Sequence, residues 1–242
     1  MNAALAMERV HDLKPSLLAA MLDGVPNVAF WTKDAALRFR AANDSLARVC
    51  GMGRASSMLT RGAGELLSEV SAAFTEARDR DALTKQRAQR NQLEKWEPDG
   101  GAATWLLVNR WPLASDSGLI LVGIGRILPA KRARPQTYET LAHVIEHIRA
   151  NVISPLSVQA LCRRGGVSRW QLEQDFLEVF GVSPRRFIAN ARLELAHEML
   201  ESGLTIAEVA HACGFADQSA FARRFRAICG VSPSEFRRTL AQ

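Results

Sequence analysis

No stretch of this 242-residue chain approaches the roughly 18 apolar residues that a membrane span needs, and its first residues, MNAALAMERVHDLK, lack the charged-then-apolar pattern of a secretory signal. Both absences predict a cytoplasmic chain with no membrane partner. Cysteine is scarce. Cys50, Cys162, Cys213 and Cys229 show no CxxC or zinc-type spacing, so they read as small apolar residues of a reducing compartment. Histidine is scarce too. His143 and His147 stand four apart, but Glu146 between them does not make HExxH, and no carboxylate or cysteine completes a metal set. No nucleophile elbow or phosphate loop is present. An enzyme reading therefore has no catalytic residue to name, and neither metal nor cofactor is expected. After Lys131 lysine is missing altogether: every later cation is arginine, whose planar fork suits phosphates and guanine edges.

What is present divides the chain in two. Apolar residues make up 48%, enough for one or two cores, and the net charge of +6 with a pI near 9.6 favours a polyanionic partner. Residues 27–128 hold short β-type runs: NVAFWTKD, LRFRAAN, then NQLEKWEP, TWLLVNRWPL and GLILVGIGRIL, with turns at PDGG and ASDSG. Between the two groups, about residues 43–90 are polar and helix-rich, which predicts an α+β fold around an antiparallel sheet. PAKRARPQ, bracketed by prolines and basic, reads as a linker over 129–137. Beyond it apolar spacing is helical throughout, so the second half is all-α.

That half contains a repeat. GVSP stands at 181–184 and again at 230–233. Glycine closes a helix, serine caps the next, and proline suits its first position, so each copy is a helix-to-helix corner. Val158, Leu161 and Val167 match Ile206, Val209 and Phe215 at an offset of 48, and Leu172 and Phe176 match Phe221 and Phe225 at 49. One extra residue therefore falls near the start of the second long helix. Capping boxes are predicted at Ser168–Gln171, Thr205–Glu208 and Ser232–Glu235. The pattern is two helix-turn-helix units, about 157–180 and 205–229, joined by a helix over 184–202 with Phe187, Ala191, Leu195 and Met199 recurring every four residues. About 18 residues at 1.5 Å give roughly 27 Å, a rod able to hold two probes about one DNA turn apart.

Residues 138–242, through RLELAHEML, TIAEVAHACGFADQSAFARRF and GVSPSEFRR, resemble the DNA-binding domain of the AraC family of transcription regulators. The resemblance implies a seven-helix domain that binds double-stranded DNA at a promoter operator and, in an activator, works with RNA polymerase. It places base contacts on the long helices: Trp170, Glu173 and Gln174 in the first copy, Gln218, Ser219 and Arg223 in the second. Many family members carry arginine or another donor where Glu173 and Gln174 stand, so the first copy reads as the weaker or more cytosine-directed probe. Asp217 is as good a helix cap as a base reader. Phosphate contacts are expected from Arg169, Arg185, Arg186, Arg224 and Arg237, with Arg238 beside them. Arg192 matches a family arginine and reads as an ion-pair partner for Glu194, Glu198 or Glu201 rather than a DNA contact.

Residues 1–128, with a core over 20–128, resemble a PAS sensor domain through VAFWTKDAALRFRAANDSLARVCGM and NRWPLASDSGLILVGIGRIL. That resemblance implies a small cavity, a homodimer and a small-molecule effector. Residues 3–22 could supply a dimerisation helix, with Pro15 interrupting it. A haem needs a histidine, and this half has only His11; a light-sensing flavin needs a cysteine motif that RVCGM does not match. Phe30, Trp31, Phe39, Trp96, Trp105 and Trp111 are candidates to line a pocket or to fill the core. Two functional readings remain: a regulator whose PAS-like part senses or dimerises, and a PAS-based scaffold that binds partner proteins without DNA.

Overall fold

The computed structural model describes residues 14–115, 118–130, 136–200 and 203–240. The chain divides into two compact units, 1–135 and 136–242. His11, the start of the proposed dimerisation helix, most of the basic linker, and Glu201 lie outside the described residues. Pro15 opens a helix: α1 runs Pro15–Asp23 with the proline in its first turn, where a missing N–H costs nothing.

The front unit is an antiparallel sheet in the order β2-β1-β5-β4-β3. Its strands are β1 Val28–Lys33, β2 Phe39–Ala42, β3 Gln89–Trp96, β4 Thr104–Ser115 and β5 Gly118–Ile127. Helices α2 (Asp44–Val49) and α3 (Glu69–Thr84) come between β2 and β3. Asn43 joins these layers. Its Oδ1 accepts from Phe30 N and Leu46 N, and its Nδ2 donates to Val28 O, so one buried amide caps α2 and ties it to β1. The core gathers Trp31, Phe39, Leu46, Met58, Trp96, Leu106 and Val108. Trp31 and Trp96 meet at 5.2 Å between ring centroids. Gly123 on β5 makes this possible, because a Cβ there would stand 2.1 Å from the Trp31 ring.

Four fully buried charges cross the same unit. Lys33 on β1 reaches Asp79 on α3 at 2.6 Å, and Arg110 on β4 bonds both Asp79 and, through two nitrogens at 2.6 and 2.8 Å, Glu94 on β3. Burial alone would raise the Asp79 carboxyl, but Lys33 and Arg110 together hold it below its ordinary value. Removing one member would leave a buried charge unpaired, which typically costs about 3–5 kcal/mol. This cluster fastens α3 to three strands.

The second unit is helical: α4 Thr137–Ala150, α5 Val158–Gly165, α6 Arg169–Phe180, α7 Pro184–Leu200, α8 Ile206–Ala212, α9 Gln218–Cys229 and α10 Pro233–Leu240. The stripe expected on α7 is one edge of a wider buried face. Phe187 is buried, but Ala191, Leu195 and Met199 are only half-buried, while Ile188, Leu193, Ala196 and Leu200 lie deeper. A strict step of four overshoots the 3.6-residue turn, yet Leu195 and Met199 still pack against the core of the second copy. Leu193, Ala196 and Leu200 join Val209, Phe221 and Phe225 in one cluster.

Candidate nucleic-acid interface

Each helix-turn-helix copy starts from local chemistry. In the first, Ser157 caps α5 by accepting from Ala160 N, Gly166 turns left-handed at φ 62°, and Ser168 caps α6 by accepting from Gln171 N. The capping box expected there forms only by half: the Gln171 amide donates to Asp175 Oδ1 at 2.9 Å instead of turning back to Ser168. In the second, Thr205 and Glu208 complete the box, with Glu208 N donating to Thr205 Oγ1 at 3.2 Å and Thr205 N to Glu208 Oε2 at 2.7 Å. Asp217 caps α9 by accepting from Ala220 N at 2.7 Å. The extra residue of the second copy is thereby placed. Gly166 and Gly214 correspond at 48 and the caps Ser168 and Asp217 at 49, so it lies in the turn between them.

Both corners at GVSP have the expected form. Gly181 and Gly230 sit at φ 69° and 79°, and Ser183 and Ser232 accept from Arg186 N and Glu235 N. Glu235 returns the bond to Ser232 N at 2.7 Å. These backbone donors hold the Glu208 and Glu235 carboxyls below the usual range.

The exposed faces carry the candidate readers. On α6, Trp170 is 69% exposed, so it is no core residue, and Gln174 is also exposed. Glu173 is half-buried and paired with Arg169, Nε to Oε1 at 2.9 Å. This pairing turns Arg169 toward a carboxylate on its own helix. On α9, Gln218, Ser219 and Arg223 are exposed, whereas Arg224 is half-buried. Arg185, Arg186 and Arg238 are exposed along the starts of α7 and the length of α10, and Arg237 donates to Leu200 O at 3.3 Å. Trp31, Phe39 and Trp96 are core residues, Phe30 is buried, and Trp105 and Trp111 are half-buried along β4.

Arg192 is held by backbone acceptors. Its guanidinium donates to three backbone carbonyls, Val152 and Gly214 at 3.0 Å and Ser154 at 3.1 Å. It thereby fixes the connecting helix to the loop after α4 and to the turn of the second copy. Gly214 is left-handed at φ 72°, and a Cβ there would crowd Ile153 O at 3.1 Å. Sequence spacing could not reveal these partners, because backbone carbonyls leave no trace in residue identity. His143 and His147 line an open cavity of about 740 Å³ with Glu146, Ala150, Asn151 and Arg164. Among the described residues no group of three or more His, Cys, Asp or Glu side chains could hold a metal. No described helix is long and apolar enough to cross a membrane.

Residues 161–239 match a family described as a helix-turn-helix domain. The chain is 31% identical to the multiple antibiotic resistance protein MarA of Escherichia coli over 104 residues, 43% of this chain and 82% of MarA. It is 28% identical to the transcriptional activator AarP of Providencia stuartii over 114 residues, 46% of this chain and 84% of AarP. Among solved structures, a transcriptional regulator with an AraC-type DNA-binding domain from Chromobacterium violaceum shares 30% identity, covering 43% of this chain and 94% of that one, with a TM-score of 0.41.

Proposed function

Because the chain belongs to the AraC family of transcription regulators, we propose that its helical unit binds double-stranded DNA at a promoter operator through α6 and α9. The observation that carries this reading is the pair of exposed helix faces, Trp170 with Gln174 and Gln218 with Arg223, projecting from two copies that share α7. Arg223 can bond guanine O6 and N7, Gln174 an adenine edge, and Trp170 a thymine methyl. Glu173, with one oxygen engaged by Arg169, retains a second to accept from a cytosine amine. Arg185 and Arg186 at the start of α7, Arg224 on α9, and Arg237 and Arg238 in the last turn of α10 supply phosphate contacts. The second copy anchors and the first selects, since α9 carries three arginines and α6 a net negative charge.

The front unit acts as a PAS-like sensor. An antiparallel sheet whose first two strands are separated from the other three by helices supports that reading. A small-molecule effector or a second copy of the chain bound there would shift DNA affinity by a coupling of about 1–3 kcal/mol. The product is a regulator and not an enzyme; as an activator it would act on RNA polymerase. The test is selection of bound sequences from a random duplex pool by the full chain. The expected result is two short blocks of preferred bases with centres about ten base pairs apart. Enrichment of a single block, or of none, would contradict the paired-probe reading.

A further inference from the structure

The repeat exposes a substitution in the second copy that packing does not demand. In the first copy three rings meet: Phe176–Phe180 at 5.3 Å, Phe176–Phe187 at 5.5 Å and Phe180–Phe187 at 4.9 Å. At the offset of 49, Phe225 answers Phe176 and Phe236 answers Phe187, and those two rings stand 5.6 Å apart. Cys229 answers Phe180. The missing ring is supplied by His197 from α7, 4.9 Å from Phe225 and tilted only 26° to it, and 4.5 Å from Phe236. The His197 Nε2 lies 3.1 Å from Cys229 Sγ. A phenylalanine fills this corner in one copy; the other places a nucleophile against a base.

We propose that Cys229 is a modification site, a thiol activated by His197 and open to hydroperoxides and soft electrophiles. Both side chains are half-buried, so small reagents reach them. His197 takes the thiol proton, and the face of Phe225 favours the resulting imidazolium. The thiolate then attacks one peroxide oxygen. The S–O bond forms as the O–O bond breaks, and the imidazolium returns its proton to the departing hydroxide or alkoxide. The sulfur is oxidised to a sulfenic acid, and the peroxide is reduced to water or an alcohol. The other thiols differ. Burial pushes Cys50 up to about 12. Cys213 is wholly buried in the core of the second copy. Cys162 is half-buried in the first copy and serves as the internal comparison. Cys229 is the last residue of α9, so an added oxygen or larger adduct pushes on the joint that holds this helix to α7 and α10. The expected consequence, resting on the DNA-binding reading above, is weaker binding.

The test is site-resolved alkylation of the full chain with iodoacetamide at pH 7, read by peptide mass spectrometry. Cys229 should react at least about tenfold faster than Cys162, as a raised thiolate fraction requires. His197→Phe, which restores the third ring, should erase the excess, and His197→Gln should do the same if the first variant folds poorly. Equal rates at the two cysteines in the native chain would overturn the proposal, as would an excess that survives both variants. A sulfenic-acid trap after hydrogen peroxide should label Cys229, with reversible loss of binding to the selected duplex. Labelling without that loss would overturn the coupling to DNA. A failure of the unmodified chain to bind any duplex would instead fall on the DNA-binding reading and leave the alkylation result standing.

Discussion

The first recognition helix carries one arginine against three acids, and the second carries three arginines and no acid. Their buried faces nevertheless match: Leu172 and Phe176 in one, Phe221 and Phe225 in the other, all fully buried. Apolar positions fix how each helix docks, and those were kept. The outward positions answer only to what lies outside the protein, and those have diverged. Two helices with one packing plan thus carry net charges of opposite sign. The local chemistry of their starts differs as well. The first copy leans on serine caps and a glutamine that turns aside, the second on carboxylates that close true boxes.

The largest effect should be the one the copies share. Phe176→Ala and Phe225→Ala should each cost about 3–5 kcal/mol of unfolding free energy, measured by denaturant titration. A large loss in one copy alone would break the claim of a common packing plan. Next come the exposed faces. Arg223→Ala should weaken binding to the selected duplex by about 1–3 kcal/mol and relax preference at one base, read by fluorescence anisotropy. Glu173→Gln should bind random DNA more tightly while losing discrimination, the opposite sign from Arg223→Ala. Equal losses in both variants would erase the anchor-and-selector distinction. A smaller effect is due at the caps, where Thr205→Ala should cost about 1 kcal/mol of stability by thermal melting. The smallest is due to acid. The Glu208 and Glu235 carboxyls are held low by cap bonds, so their contribution is present above the ordinary carboxyl value of 4.5 and fades as pH falls through their lowered folded values. Amide protection at the starts of α8 and α10, taken relative to the intrinsic exchange rate at each pH, should therefore fall on acidification before that at the starts of α5 and α6.

Much of this was legible in the residues, for definable reasons. The GVSP corners are local chemistry, so glycine, serine and proline announced them and the structure formed them. The strands NQLEKWEP, TWLLVNRWPL and GLILVGIGRIL were legible because alternation and turns are short-range signals. The α7 stripe was legible only in part, because a four-residue step follows one edge of the buried face and leaves out Ile188, Leu193, Ala196 and Leu200. The buried charges were invisible: Asp79 finds Lys33 at a separation of 46 residues and Arg110 at 31, and no periodicity reports such pairs. The carbonyl acceptors of Arg192 were invisible too, because backbone atoms leave no trace in residue identity. The pairing of Cys229 with His197 spans 32 residues, yet the repeat carried a hint of it, since only a cysteine answers Phe180.

The anchor-and-selector account is tested most directly by salt. Affinity for the selected duplex should be measured from low to moderate salt for three proteins: the native chain, one with Arg223, Arg224 and Arg226 changed to glutamine, and one with Glu173 and Glu178 changed to glutamine. Each phosphate contact contributes about one unit to the slope of log affinity against log salt, so the arginine variant, which removes the Arg224 contact, should flatten it by about one unit. The acid variant should leave the slope unchanged or steepen it. Three parallel lines, or a flatter slope from the acid variant alone, would contradict the account.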